Sequence, residues 1–198
     1  MFLAVDVGNT HIVAGVFRGQ TLERHWRIGS DPTRTEDEYR TILRALFHEM
    51  DPPLGAVRGC MIASVIPRLT HTLSRALTEL LGAAPGVLSH DLDLGLDNQY
   101  RHPRDVGPDR LANAVGGVER YGAPLIILDF GTATTFDVVT AERVYLGGVI
   151  MPGLEMGADS LFQKTSLLPR IAIGAPERVV GRSTFEAITS GLVRGTVG

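Results

Sequence analysis

One motif, stated twice, constrains the fold more than any other feature of the chain. Residues 2–5, Phe-Leu-Ala-Val, run as an apolar stretch into Asp6-Val7-Gly8-Asn9-Thr10, and residues 124–128 run likewise into Asp129-Phe130-Gly131-Thr132, 123 positions later. A short apolar run closed by turn residues is a strand followed by a tight turn. In the first copy β-rich stretches follow at 11–17 and 21–28, and in the second at 134–139 and 143–150. Each copy therefore predicts three antiparallel strands joined by tight turns. A duplicated unit builds its functional site between the copies.

Helical signals fill the intervals. Thr35 with Glu38 forms a capping-box pattern, opening a helix with Tyr39, Ile42, Leu43, Leu46, Phe47 and Met50 on one face, stopped by Pro52-Pro53. A strand is expected over 57–65. Pro67 opens a second helix that carries Leu69, Leu73, Leu77, Leu80 and Leu81 and ends at Gly82. Residues 85–108 read as loop, Asp109 to Tyr121 as helix, and short helices are expected near 153–163 and from 183 onward. The expected architecture is α/β, with mixed sheets flanked by helices. The first domain spans 1–106, and the second spans 107–198 and begins with the linker helix. After Asp129 only 69 residues remain, and the apolar pattern Phe185, Ile188, Leu192, Val193, Val197 stops without a cap. The second domain is expected to be incomplete, as in a C-terminally truncated chain.

Composition removes several classes of function. At 198 residues, 44% hydrophobic and 21% charged, the chain has the composition of a globular protein. A net charge of −3 with no basic segment argues against nucleic acid as a partner. No apolar run reaches the ~18 residues of a membrane span. The start, Met1 to Asp6, has no basic region and meets a carboxylate at once, so a signal peptide is not expected and the default address is the cytoplasm. The lone Cys60 rules out an intramolecular disulfide, and the six histidines show no metal-ligand spacing. Lys164 is the sole lysine among 19 basic residues and has no glycine frame, so the chain has no P-loop.

Three stretches carry chemistry. In Asp6-x-Gly8-Asn9-Thr10 a strand-end carboxylate precedes a turn whose backbone N–H groups can cradle phosphate, with a cation bridging the like charges. The bland alternative is a hairpin turn, and the second copy at Asp129 favours function. In Gly107-Pro108-Asp109-Arg110 the aspartate falls where loop becomes helix, as an N-cap or as a general base that takes a hydroxyl proton. Arg110 beside it suits an anionic group. Gly147-Gly148 and Pro152-Gly153 mark close backbone approach to a ligand or to a second subunit, or a plain turn before a helix.

Taken together, these residues resemble the type III pantothenate kinase family. The matching stretches are Asp6 to Thr10, Tyr100 with Gly107 to Asn113, Asp129 to Asp137, Gly147 to Leu154, and Gly181 to Thr184. The resemblance implies two ribonuclease-H-like domains of the actin-like ATPase type. It also implies phosphorylation of pantothenate by ATP, the first step of coenzyme A biosynthesis. Asp6, Val7, Gly8, Asn9, Thr10, His11, Ile12 and Val13 resemble the ATP-binding hairpin, with Asp6 acting through Mg2+ and Thr132 as a further ATP contact. Asp109 resembles the catalytic base. Tyr100, Gly107, Pro108, Asp109, Arg110 and Thr184 resemble the pantothenate contacts. Asp129 resembles the ligand of a monovalent cation, K+ or NH4+. The resemblance further implies a homodimer. Pro108 stands where the family commonly has threonine, which removes one N–H donor. The alternatives are another small-molecule kinase of the superfamily or a non-catalytic, ATP-binding regulatory accessory protein.

Overall fold

The computed structural model describes residues 1–48 and 53–197. Met50 and Pro52, expected on and after the first helix, lie outside the described residues. Three strands open the chain: β1 (Phe2–Val7), β2 (His11–Arg18) and β3 (Thr21–Gly29). Helix α1 (Glu36–His48) follows, then β4 (Gly59–Ser64), helix α2 (Pro67–Leu81) and the two-residue β5 (Gly86–Val87). They form one mixed sheet in the order β3-β2-β1-β4-β5. Strand β1 pairs antiparallel with β2 (Val5 opposite Ala14) and parallel with β4 (Val5 opposite Ile62).

Alternation sets the faces of this sheet. Leu3, Val5 and Val7 of β1 and Ile12, Ala14 and Val16 of β2 all turn to one side and are shut from water. There they meet Tyr39, Leu43 and Phe47 of α1 and Leu69, Leu73 and Leu77 of α2. Trp26 of β3 closes the edge of this core, its ring 5.1 Å from that of Phe47 at 65°. Each such aliphatic side chain contributes about 1.5–3 kcal/mol on burial. The expected signals fix the helix ends. Thr35 N–H donates to Glu38 Oε2 at 2.7 Å and Glu38 N–H to Thr35 Oγ1 at 3.4 Å, a reciprocal cap. Pro67 occupies the first turn of α2, and Gly82 ends it with φ 73°, a conformation that favours glycine.

The second half repeats the antiparallel trio as β7 (Leu125–Phe130), β8 (Ala133–Val139) and β9 (Val144–Pro152). Its sheet runs β6-β9-β8-β7, where β6 (Asp97–Asn98) lies parallel to β9. The second sheet thus recruits residues from the stretch read as loop. Helix α3 (Pro108–Tyr121) lies between the halves and packs on β4 of the first sheet and on β7 and β8 of the second. Gly117 permits that approach, because a Cβ there would stand 2.9 Å from Leu125 Cδ1. Helices α4 (Leu154–Lys164) and α5 (Thr184–Val197) pack on one another, joined by residues 165–183 without regular structure. The antiparallel trio thus occurs twice, in two mixed sheets flanked by helices. No described helix is long and apolar enough to cross a membrane.

Candidate active site

Each of the twin turns is closed by its glycine, onto the third residue along in the first copy and the second residue along in the other. Gly8 N–H donates to His11 C=O at 2.9 Å, and Gly131 N–H donates to Ala133 C=O at 3.0 Å. Ser30 Oγ steadies the first turn by donating to Gly8 C=O at 2.6 Å. Gly153 N–H steadies the second by donating to Thr132 C=O at 3.0 Å. A Cβ at Gly153 would run into the Gly131 and Thr132 carbonyls. One at Gly148 would run into the Phe136 carbonyl. The close approach at these two glycines is therefore made to the protein's own backbone, not to a ligand or a second subunit as expected. The two turns meet at their tips, where Thr10 Oγ1 and Thr132 Oγ1 share a hydrogen bond of 2.7 Å. Asn9, Thr10 and His11 are exposed, whereas Val7 and Ile12 are core residues that can offer a ligand only their main chain.

Three carboxylates converge below these tips. Asp6 ends β1, Asp129 ends β7, and Asp109 stands in the first turn of α3. Although Asp6 opens onto the cleft, protein crowds it on its inner sides. Its pKa rises to about 6, through burial first and then through the charges of Asp109 and Asp129. Asp129 Oδ2 accepts a hydrogen bond from Asn113 Nδ2 at 2.8 Å, which ties the second aspartate to α3. A cation between these groups would relieve their repulsion. Among the described residues no three ligating side chains are already arranged around one point.

Asp109 is not an N-cap. Gly107 occupies that position and Pro108 is the first helical residue. Proline there costs no helical hydrogen bond, since that N–H has no partner within a helix. Asp109 Oδ1 accepts from Arg110 N–H at 2.8 Å and lies where a Cβ of residue 107 would be, so Gly107 makes room for the carboxylate. The side chain of Arg110 turns inward. Its Nε donates to Asp137 Oδ1 at 2.9 Å, and the same oxygen accepts from the Tyr145 hydroxyl at 2.5 Å. Tyr100 lies alongside, its ring 2.6 Å from where a Cβ of Gly147 would stand. Tyr100 and residues 107–110 thus come together. Thr184 begins α5, exposed, and no hydrogen bond joins it to them among the described residues.

Asp137 and Tyr145 went unassigned at the sequence level. A signal existed, since an acid inside the alternating run Phe136-Asp137-Val138-Val139 calls for a buried partner. A cavity of about 210 Å3 lies elsewhere, between residues 175–178 and Phe185, Glu186 and Thr189 of α5.

Comparison with known proteins points to one family. The family model described as type III pantothenate kinase matches residues 2–198. The type III pantothenate kinase of Moorella thermoacetica is 43% identical over 198 residues, covering 100% of this chain and 78% of that protein. That of Geobacter sulfurreducens is also 43% identical, with the same coverage of 100% and 78%. Among solved structures, a protein from Campylobacter jejuni described as a Baf family transcriptional activator superposes with a TM-score of 0.60 at 17% identity. It covers 98% of this chain and 75% of its own. That likeness supports the fold alone. Whole-chain identity at this level, together with the matching strand-end aspartates, makes this chain a member of the type III pantothenate kinase family.

Proposed function

We propose that the chain transfers the γ-phosphoryl group of ATP to the primary hydroxyl of pantothenate, giving 4'-phosphopantothenate and ADP, the first step of coenzyme A biosynthesis. One observation carries the reading: Asp109 lies close enough to Asp6, beside the first of the twin turns, for its charge and that of Asp129 to raise the Asp6 pKa. The pantothenate hydroxyl oxygen attacks the γ-phosphorus, its proton passes to the Asp109 carboxylate, and the bond to the β,γ-bridging oxygen breaks to release ADP. The N–H groups of residues 6–13 orient the phosphates, and Thr132 approaches them from the second turn. Asp6 holds Mg2+ through water or directly, and Asp129 holds K+ or NH4+; when bound, these ions neutralise charge on the phosphates. Tyr100, Gly107, Pro108 and Thr184 line the pantothenate side, and Arg110, its side chain held by Asp137, backs them from within. A homodimer and a cytoplasmic location belong to the same reading, the first open to sedimentation and the second to fractionation of cells.

A coupled assay of ADP release tests the base. Asp109→Asn keeps the size of the side chain but cannot take a proton, so pantothenate-dependent turnover falls by roughly 100-fold or more. Near-wild-type turnover would remove Asp109 from the chemistry. The cation site is tested by replacing K+ with Na+ at fixed ionic strength. Wild-type rates fall, and Asp129→Ala makes the two buffers equivalent and slow.

A further inference from the structure

Asp137 and Tyr145, buried against Arg110 at the root of α3, take no part in the proposed reaction. Arg110 is 7% exposed, and Asp137 and Tyr145 are both 0% exposed. A single oxygen, Asp137 Oδ1, takes the Arg110 Nε hydrogen bond at 2.9 Å, the Tyr145 hydroxyl at 2.5 Å and a charge contact from Arg110 Nη2 at 2.6 Å. The hydrogens of Nη2 point off that oxygen, leaving this buried nitrogen without a hydrogen bond of its own. An ion pair of this kind is a poor stabiliser. Apolar residues of like volume serve a core as well or better, and an unmade buried hydrogen bond costs more. What the pair supplies is direction, because a guanidinium on a fixed carboxylate has little freedom to turn.

That direction is passed to the base. Arg110 donates its own N–H to Asp109 Oδ1 at 2.8 Å while its side chain is anchored on β8. The anchor is itself framed. Gly148 lies against the Phe136 carbonyl on one side of Asp137, and Tyr100 closes over Gly147. Burial first, then the hydrogen bond to Asp137, pushes the Tyr145 hydroxyl far above the ordinary tyrosine range, so it stays a donor.

We propose that Asp137 and Tyr145 are positioning residues, which hold Arg110 and through it the first turn of α3, so that the Asp109 carboxylate faces the cleft. The proposal rests on the reading of Asp109 as the base. A misplacement of about 1 Å at a reacting group costs roughly 100-fold, which sets the scale of the test.

Two variants and two readouts decide it. Asp137→Asn keeps shape and loses charge, and Tyr145→Phe loses only the hydroxyl. In steady-state assays kcat falls about 10–100-fold for the first and about 3–10-fold for the second, with KM for ATP within about twofold of wild type. Hydrogen exchange at Leu111, Ala112 and Asn113 quickens about tenfold in both, while residues 116–121 of the same helix exchange as before. Wild-type kcat and wild-type exchange in Tyr145→Phe would overturn the proposal. So would a loss of protection spread evenly over α3 and the second sheet, the mark of general destabilisation. If the wild-type chain released no ADP with pantothenate, the proposed reaction would fall, and exchange at Leu111 would still decide the positioning role.

Discussion

Strands β1 and β7 are twins in sequence and opposites in surroundings. Both are apolar runs ending in an aspartate at a glycine turn, and both pair antiparallel with the next strand. On β1, Leu3, Val5 and Val7 are 0%, 2% and 0% exposed, because α1 and α2 roof that face and β4 occupies the strand's outer edge. On β7, Ile126, Leu128 and Phe130 are 61%, 48% and 64% exposed, and β7 ends its sheet. Val149 of β9 adds to the same open face. The opposite face of β7 is covered by α3. The contrast separates two things a repeat encodes. Strand and turn chemistry are local and recur wherever the letters recur. Burial is supplied by whatever packs on top, and β7 has no counterpart of α1 and α2 among the described residues.

The largest effect expected from this contrast is on stability. Leu73→Ala, in the roof over β1, costs about 2–5 kcal/mol, whereas Ile126→Ala on the open face of β7 costs less than about 0.5 kcal/mol. Denaturant midpoints measure both. Equal costs would mean that the β7 face is covered in solution and that the two halves are alike.

A middle-sized effect separates the twin aspartates. Asp6 titrates at about 6 in the folded chain against an ordinary value of 3.8. A raised carboxylate pKa favours the native state below the unfolded value and loses that contribution as pH rises through the folded one. Asp6→Asn therefore stabilises the ligand-free chain by about 1 kcal/mol above pH 6, once solvent screening is allowed for. The gain fades to nothing as pH falls toward 4. Asp129→Ala, which strips Asn113 of its acceptor, destabilises by about 0.5–1.5 kcal/mol. Thermal melts across that pH range give both signs, and a shared sign would end the distinction between the two carboxylates.

The smallest effect is colloidal. Ile126→Thr leaves the melting temperature within about 1–2 °C and lowers light scattering at high concentration, since one exposed side chain leaves the apolar patch. Unchanged scattering would show that the patch is not what brings chains together.

These halves also mark where the sequence could be read. Thr35 with Glu38, Pro67 and Gly82 are local signals, and local hydrogen bonds answer them. The two-residue strands β5 and β6 have no periodicity to read at that length, and only their long-range partners create them. Asp6, Asp109 and Asp129 were legible because the motif repeats and because a helix starts beside Asp109. The inward turn of Arg110 was not, because its neighbours in sequence look like a surface helix start. Its partner Asp137 lies 27 positions on, across a sheet not yet formed.

The Thr10–Thr132 hydrogen bond has a consequence for how the cleft fills. The bond spans the mouth between the two turns, so an arriving phosphate chain cannot pass between the tips without breaking it. In the proposed reaction both hydroxyls would then meet anionic oxygens, exchanging one neutral bond for two charge-assisted ones. The net barrier that this bond adds to opening is about 0.5–1.5 kcal/mol, small enough for thermal motion to lift many times during a single turnover.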